Sequence, residues 1–303
     1  MILERAIRQT ISNQFLLQEK INLVMKRLDL IHPSINGNKW FKLKYNIEKV
    51  LLTQHKTMLT FGGAWSNHIH ATAAAGKEFG FKTIGVIRGE EPSRYSTTLL
   101  LAKECGMQLE FISREAYREK EGEDFKGWLH EQFGSFHLVP EGGSNFLGVN
   151  GCMEILSEED KEFDFICGAC ATGATLAGLL LAMKPHQHAI GFSVLKNGNF
   201  LAEEVKKQLK SVLNDDEAVE EISSRFEIVT DYHFDGYGKW NDELLQFVSG
   251  FESEHHIPLD QVYTGKMMFG LMDLIPKNHF PGGSKILAIH TGGLQGKTGI
   301  LKR

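Results

Sequence analysis

The stretch "FDFICGACATGATLAGLLLAMK", residues 163–184, decides the fold class of this chain. It begins with a short run of aromatic and apolar residues, which predicts a buried strand. A turn rich in Gly, Ala and Thr follows, and the remainder has helical character. A strand that passes through a tight turn into a helix is the repeating unit of α/β proteins with a parallel sheet.

The same alternation extends along the chain in both directions. Strands are predicted at 58–63, 82–89, 108–113, 136–143, 163–169, 188–195, 226–230 and 285–293. Helical segments such as "HATAAAGKEFG" separate them, so we expect βαβ units and a mostly parallel sheet. Ligands of such sheets bind beyond the carboxyl ends of the strands. The strand-to-helix turns "FGGAWSNH", "VPEGGSNFLG", "GACATGATLAG" and "HTGGLQG" are rich in small and polar residues, which indicates a site there.

Length and charge limit the function classes. The chain has 303 residues, enough for one large α/β domain or two smaller ones. Its formal net charge is −5, from 33 basic and 38 acidic residues, which does not support a nucleic-acid or acidic-membrane partner. The N-terminal stretch "MILERAIRQTISNQ" fits neither a signal peptide nor a membrane span. We therefore expect a cytoplasmic protein that binds small molecules.

Cysteine and histidine spacing predicts no metal site. Cys167 and Cys170 form a C-x-x-C, but no second pair lies at zinc-ribbon spacing, so we interpret them as small packed thiols. His68 and His70 are two residues apart, and such residues point to different faces of a helix. A shared metal is not expected at either pair.

The turn after the strand at 163–169 is the best candidate for an anion site. Its small residues let successive backbone N–H groups turn inward, and a helix begins there with the positive end of its dipole. The spacing is not G-x-G-x-x-G, and a tight turn without a ligand stays an alternative. The residues concerned are Ala171, Thr172, Gly173, Ala174 and Thr175.

The stretch "NGNKWFKLK", residues 36–44, leaves the role of Lys39 open. Two Asn and a Gly precede the lysine where a strand-like stretch gives way to a helix. On these residues alone, a solvated helix start with Asn38 as N-cap is favoured. The alternative is a reactive amine.

Seven segments in order along nearly the whole chain resemble those of one enzyme family. They are "KRLDLIHPSINGNKWFKLKYN", "GGAWSNH", "PEGGSNFLGVNGCMEI", "ATGATLAGL", "GYGKWNDELLQF", "VYTGKMMFGLMDLI" and "HTGG". The family is the 1-aminocyclopropane-1-carboxylate deaminase and D-cysteine desulfhydrase group of pyridoxal 5′-phosphate (PLP) enzymes, which shares the fold of the tryptophan synthase β-subunit.

The resemblance implies an architecture of two lobes. Each lobe is an open, mostly parallel, twisted sheet with helices on both faces, which is the fold type II arrangement of PLP enzymes. Residues 1–44 and 159–303 are expected to form a larger PLP-binding domain, and residues 45–158 a smaller α/β domain. A homodimer is expected by the same resemblance.

The resemblance also implies which residues hold the cofactor. Lys39 follows Gly-Asn in the motif and is the lysine that carries PLP covalently, whereas Lys42 and Lys44 fall on the following helix. A nearby cation or a desolvating environment lets such an amine lose its proton near neutral pH. Residues 171–175 are expected to bind the phosphate, and Asn67 to hydrogen-bond the 3-oxygen of the ring.

Three further residues are expected to act on the substrate. Ser66 is expected to hold the substrate carboxylate or to pass a proton. Tyr237 and Tyr263 are expected to flank the site, one as a proton relay and the other packed on the ring. Each tyrosine can equally be a half-buried core residue with its hydroxyl satisfied.

Two threonines favour one activity of the family over the other. Thr264 stands where deaminases have an acidic partner for the pyridine nitrogen, and Thr291 stands where they commonly have Leu. A hydroxyl cannot protonate the ring nitrogen as a carboxylic acid can, and the weaker electron sink favours β-elimination over opening of a cyclopropane ring. We expect D-cysteine to be converted to pyruvate, hydrogen sulfide and ammonia.

Other functions stay open. One is 1-aminocyclopropane-1-carboxylate deamination to 2-oxobutanoate and ammonia, and another is a protein that binds PLP without turnover. A nucleotide-binding Rossmann protein is a third. Trp40, Phe41 and Trp65 stand where smaller or more polar residues are common in the family, so these bulky rings can narrow the pocket and change the substrate.

Overall fold

Ten strands form two sheets in this computed structural model, which describes residues 6–299. The strands are β1 (Ile7–Ile11), β2 (Asn22–Arg27), β3 (Thr57–Gly62), β4 (Lys82–Arg88), β5 (Gln108–Ile112), β6 (His137–Val139), β7 (Phe165–Cys170), β8 (His188–Ser193), β9 (Phe226–Val229) and β10 (Lys285–His290). The strand order is β1-β2-β10-β7-β8-β9 in the six-stranded sheet and β5-β4-β3-β6 in the four-stranded sheet. All pairs are parallel except β1 with β2.

Twelve α-helices connect the strands in the part of the chain that the structure describes. They are α1 (Gln14–Gln18), α2 (Asn38–Leu51), α3 (Asn67–Phe79), α4 (Thr97–Glu104), α5 (Arg114–Arg118), α6 (Glu123–Phe133), α7 (Phe146–Met153), α8 (Ala174–Ala182), α9 (Leu201–Leu213), α10 (Asp216–Ser223), α11 (Asp242–His255) and α12 (Thr264–Leu274). The predicted α/β fold with mostly parallel sheets is confirmed.

The six-stranded sheet is covered on both faces. Along β10, Leu287 and Ile289 lie in a hydrophobic cluster with helices α8 and α9. Ile286 and Ala288, which alternate with them, lie in a second cluster with α11 and α12. Alternate residues of a strand point to opposite faces, so a strand that is buried on both faces is apolar throughout. This is why β7 and β10 were recognisable as strands from sequence.

The sequence-based prediction missed the first two strands. Strand β1 has a largely exposed burial pattern, and β2 ends with Lys26 and Arg27, which a pattern of hydrophobicity assigns to the surface. Both side chains are nevertheless buried. Their partners are Asp160 and Asp29, and the first of these lies far along the chain.

The expected division into two domains stays a prediction. Strands of the four-stranded sheet all lie between residues 57 and 139, and those of the six-stranded sheet lie at 7–27 and 165–290. The two ends of the expected larger domain, 1–5 and 300–303, lie outside the described residues.

Within residues 6–299, no helix has the length and apolar character needed to cross a bilayer. The same residues contain no group of three or more His, Cys, Asp and Glu side chains that is placed to hold a metal ion.

Candidate functional site

The start of helix α2 is built around Gly37. Gly37 has a φ of +66°, and a Cβ on it would lie 2.0 Å from the carbonyl oxygen of Thr291. Only glycine fits this close approach. The backbone N–H of Asn38 donates to the same carbonyl at 3.3 Å, so the turn after β10 holds the first turn of α2. Gly37, rather than Asn38, is therefore the N-cap, which corrects the interpretation based on the sequence alone.

Lys39 lies in this first turn and is not a solvated residue. Its side chain keeps some exposed surface, but the amine lies among protein atoms and donates to Asn38 Oδ1 at 3.0 Å. Burial, helped by the nearby charge of Lys42, lowers the pKa of Lys39 to about 7. A large fraction of such amines is uncharged at neutral pH and able to attack a carbonyl or accept a proton.

Lys42 is a second buried amine at the site, and the sequence did not reveal it. Lys39, Lys42 and Lys44 all lie on α2, so the helix does not separate the first lysine from the other two as expected. Burial also lowers the pKa of Lys42, whereas Lys44 pairs with Glu154 at 2.5 Å. Among the described residues, neither Lys39 nor Lys42 forms an ion pair with a carboxylate.

The turn at residues 171–175 meets Lys42. The Lys42 amine donates to Gly142 O at 3.0 Å and to Thr172 Oγ1 at 3.3 Å. Gly173 has a left-handed conformation and precedes the first residue of α8. In residues 6–299, the backbone N–H groups of Thr172, Ala174 and Thr175 find no acceptor in the protein. A helix N-terminus with free N–H groups beside a buried cation is a site for an anion.

Asn67 and Lys39 line the same small pocket. Other residues that line it include Asn36, His70 and Gln295. Asn67 Oδ1 accepts from Gln295 Nε2 at 2.7 Å. Asn67 begins helix α3, and the residue before it is the N-cap Ser66, whose Oγ accepts from the N–H of Ile69 at 3.3 Å.

Tyr237 and Tyr263 are brought together as a pair. Their hydroxyls are 3.1 Å apart, and burial raises the pKa of both. Tyr237 keeps 41% of its surface exposed. Lys266, a buried residue that sequence reasoning missed, donates to His233 O and Gly236 O and so holds the loop that carries Tyr237.

Thr264 is fully buried and bound to Asp260. Its hydroxyl donates to Asp260 Oδ2 at 2.7 Å and accepts from the backbone N–H of Asp260 at 2.9 Å. Because a hydroxyl has one proton and two lone pairs, Thr264 has one lone pair left for a further partner. Thr291, the other threonine singled out from sequence, is buried beside Gly37.

His68 is held in one tautomer. The hydroxyl of Thr60 donates to Val139 O at 2.7 Å and therefore accepts at 2.9 Å from His68 Nε2, which must carry a proton. Burial, with the charges of Lys39 and Lys42, holds the pKa of His68 well below its usual range, so the ring is neutral. The remaining nitrogen, Nδ1, is buried without a partner among the described residues. Because Nε2 carries the only ring proton, Nδ1 is unprotonated and can accept a hydrogen bond.

The bulky rings lie in different surroundings. Trp40 is buried between His32 and Phe79 and is not among the residues that line the pocket of Lys39. Trp40 and Phe41 instead line a separate cavity of about 160 Å³ beside Lys26. Trp65 is 43% exposed.

These features fit PLP. A buried amine with a pKa of about 7 suits the covalent attachment of an aldehyde, and the residues at the start of α8, with Lys42, suit a phosphate. The backbone N–H groups of Thr172, Ala174 and Thr175, unpaired among the described residues, are donors that a phosphate would satisfy.

Comparisons with known proteins also indicate a PLP-dependent enzyme. A family model described as "Pyridoxal-phosphate dependent enzyme" matches residues 10–292. A relative from Thermotoga maritima, named provisionally as a 1-aminocyclopropane-1-carboxylate deaminase, is 33% identical over 298 residues, 93% of each chain. The bifunctional D-cysteine desulfhydrase/1-aminocyclopropane-1-carboxylate deaminase of Arabidopsis thaliana mitochondria is 32% identical over 90% of this chain and 73% of its own.

Solved structures show the same fold. The crystal structure of a 1-aminocyclopropane-1-carboxylate deaminase homologue superposes with a TM-score of 0.81 and 29% identity, covering 98% of this chain and 91% of the other. A PLP-dependent aspartate racemase superposes with a TM-score of 0.67 and 16% identity, over 96% and 91% of the two chains, which supports the fold alone.

Proposed function

The chain belongs to the 1-aminocyclopropane-1-carboxylate deaminase and D-cysteine desulfhydrase family of pyridoxal-phosphate dependent enzymes, and we propose that it catalyses β-elimination from D-cysteine. The products are pyruvate, hydrogen sulfide and ammonia. The family assignment makes it a PLP-dependent lyase. The choice of D-cysteine within the family is our proposal.

The observation that carries this choice is the bond between Thr264 and Asp260. Thr264 has no ionisable proton, and its hydroxyl proton is already donated to the Asp260 carboxylate. At this position the chain therefore lacks a group that gives a proton to the pyridine nitrogen. A weaker electron sink suits the quick departure of a β-substituent better than the opening of a cyclopropane ring.

The chain's own residues have distinct roles in this proposal. PLP, when bound, supplies the electron sink for the α-carbon. Lys39 holds the cofactor and, once released, its amine accepts the α-proton, which its low pKa allows at neutral pH. Residues 171–175 and Lys42 bind the phosphate. Ser66, the N-cap of α3, faces the substrate carboxylate with the positive end of a helix dipole, and Asn67 would hydrogen-bond the 3-oxygen of the ring.

The pair of tyrosines completes the proposed site. Tyr263 donates to Tyr237, and both hydroxyls keep their protons at neutral pH because burial raises their pKa values. Such a pair can donate a proton to a leaving hydrosulfide but cannot act as a base. Thr291 supports the wall of the site through its carbonyl contact with Gly37 and Asn38.

A turnover assay on several substrates tests the proposal. D-Cysteine, L-cysteine, D-serine, β-chloro-D-alanine and 1-aminocyclopropane-1-carboxylate are compared on the PLP-loaded protein and on Thr264→Glu. We expect elimination from D-cysteine and β-chloro-D-alanine, and a shift of Thr264→Glu towards ring opening. Ring opening as the dominant activity of the unaltered protein would show that the assignment of D-cysteine as the substrate is wrong. No turnover despite bound PLP would favour a binding protein.

A further inference from the structure

Arg88 is an unpaired cation beside the loop that carries Ser66 and Asn67. It ends strand β4, and its side chain is exposed. Its guanidinium lies 5.6 Å from the centre of the Tyr117 ring. A Cβ placed on Gly63, the first residue of the loop, would lie 3.6 Å from Arg88 Nη2. In residues 6–299, no carboxylate forms an ion pair with Arg88.

The parallel pairing of β3 and β4 places Arg88 next to Ser66. Gly62, the last residue of β3, pairs with Ile87, the residue before Arg88. Ser66 Oγ lies 2.8 Å from the position that a Cβ on Gly62 would take. Arg88 and Ser66 therefore stand side by side at the carboxyl ends of two neighbouring strands, where ligands of parallel sheets bind.

Glu141, whose charge acts on the same tyrosine as Arg88, pairs with Lys120 rather than with Arg88. Glu141 lies 3.6 Å from Lys120, whose amine is 5.0 Å from the same Tyr117 ring. Burial is the main cause of the raised pKa of Tyr237, Glu141 adds to that rise, and Arg88 opposes it, so both charges act on the tyrosine pair. The charges of Arg88, Lys120 and Glu141 sum to one net positive charge at the site.

The guanidinium of Arg88 lies over an aromatic ring that is itself buried. Its carbon is 5.6 Å from the centre of the Tyr117 ring, and Tyr117 packs edge-on against Phe61, with ring centres 6.1 Å apart. The planar fork of an arginine matches carboxylate, sulfonate and sulfate groups.

We propose that Arg88 binds a negatively charged group on the side chain of the substrate, so that the site prefers amino acids whose β-substituent is anionic. This inference rests on β-elimination as the proposed reaction. The α-amino group of the substrate would be taken by the cofactor that Lys39 holds, and the α-carboxylate by the residues around Ser66, which leaves Arg88 for the far end of a small substrate. D-Cysteine belongs to this class only in its thiolate form, so substrates whose β-substituent is always charged are expected to use Arg88 more fully.

The reaction balances for a serine O-sulfate. Lys39 takes the α-proton, the bond between Cβ and the ester oxygen breaks, and sulfate leaves with the bonding electrons, held by Arg88. One water molecule then converts the remaining carbon skeleton to pyruvate and ammonia. No oxidant or reductant is needed.

The first test compares charged and neutral leaving groups. The kcat/KM for serine O-sulfate is divided by that for β-chloroalanine, for both enantiomers, in the PLP-loaded protein and in Arg88→Gln. We expect this ratio to fall about tenfold or more in Arg88→Gln. Arg118→Gln, which removes an exposed arginine at the end of α5, is the control and should leave the ratio unchanged. The ratio for Arg88→Lys should lie between those of the unaltered protein and Arg88→Gln, because lysine keeps the charge but lacks the planar fork.

A binding test covers the case in which nothing is eliminated. Aspartate and alanine have no β-leaving group, so the change in absorption of bound PLP reports their affinity without turnover. We expect the unaltered protein to favour aspartate over alanine, and Arg88→Gln to lose that preference. An unchanged preference in Arg88→Gln overturns the role of Arg88, whether or not any substrate is turned over. An equal loss of affinity for both ligands also overturns it, because Arg88 would then serve the α-carboxylate or the fold.

Discussion

Buried cations on strand β2 and on helix α2 have opposite surroundings. On β2, Lys26 and Arg27 bind the buried carboxylates of Asp160 and Asp29. On α2, the amines of Lys39 and Lys42 have no carboxylate partner among the described residues, and Lys42 donates only to a carbonyl and a hydroxyl. A buried charge without a partner is costly to the fold. Strand β2 therefore uses its cations for structure, whereas α2 keeps its cations available for a ligand.

The largest expected effect comes from Lys39. Lys39→Ala should lower turnover by roughly 10³-fold or more, because it removes both the attachment point and the proposed base. Borohydride reduction of the yellow PLP-loaded protein should fix the cofactor, and mass spectrometry should place the adduct on Lys39. Lys44→Ala, on the same helix but paired with Glu154, is the control and should keep activity.

Lys42 makes the adduct experiment decisive. Its side chain is more fully buried than that of Lys39 and lies one turn further along α2. An adduct on Lys42 would reverse the roles of the two amines, and the phosphate would then need another partner.

The next largest effect is on stability and compares a lysine of β2 with a lysine of α2. Lys26→Met removes the shortest ion pair of the buried Asp160 carboxylate, which keeps Arg8 at 3.9 Å, and should lower the free energy of unfolding by about 3 kcal/mol. Lys42→Met is the same substitution at an unpaired buried lysine, and it should leave the stability of the PLP-free protein equal or higher. Urea unfolding of both variants measures this. A similar loss of stability in both would show that Lys42 is paired in solution.

Most strands and the loops of the site could be predicted from the local sequence. The strands β3 to β10 were predictable because their residues are apolar in short runs between turns, a pattern that depends on neighbours in the chain. The site loops were predictable for a similar reason, since small residues gather where the backbone turns closely. The motif around Lys39 marked the reactive lysine through resemblance rather than through its own physical properties.

The burial of the cations on β2 and α2 and the state of His68 were not predictable from the sequence, mainly because they depend on contacts between residues far apart in the chain. Strand β2 ends in two cations that are tolerated in the interior only because Asp160 and Asp29 meet them. Lys42 is buried by Gly142 and Thr172, which are 100 and 130 residues away. The lone pair on His68 depends on the bond from Thr60 to Val139. Partners as distant as those of Lys42 and Thr60 leave no periodic signal in the sequence, so the electrostatics of the site need the structure.

The smallest expected effect is a change of stability with pH that comes from Lys39. Its pKa is about 7 in the folded protein against an ordinary value of 10.5, because burial disfavours the charged form. Below about pH 7 the amine is charged in both states, so the folded state bears the full cost of a buried cation. Between about pH 7 and 10.5 the folded state loses the proton while the unfolded state keeps it, and the cost falls as pH rises. The Tm of PLP-free Lys39→Met should therefore exceed that of the unaltered PLP-free protein by more at about pH 6.5 than at about pH 9.5. Arg27 allows the opposite case to be checked on β2, because a guanidinium stays charged throughout this range and Arg27→Met should lower Tm by a similar amount at both pH values. A Tm difference for Lys39→Met that does not change with pH would mean that the amine is solvated in the folded protein, and the contrast between α2 and β2 would then rest on Lys42 alone.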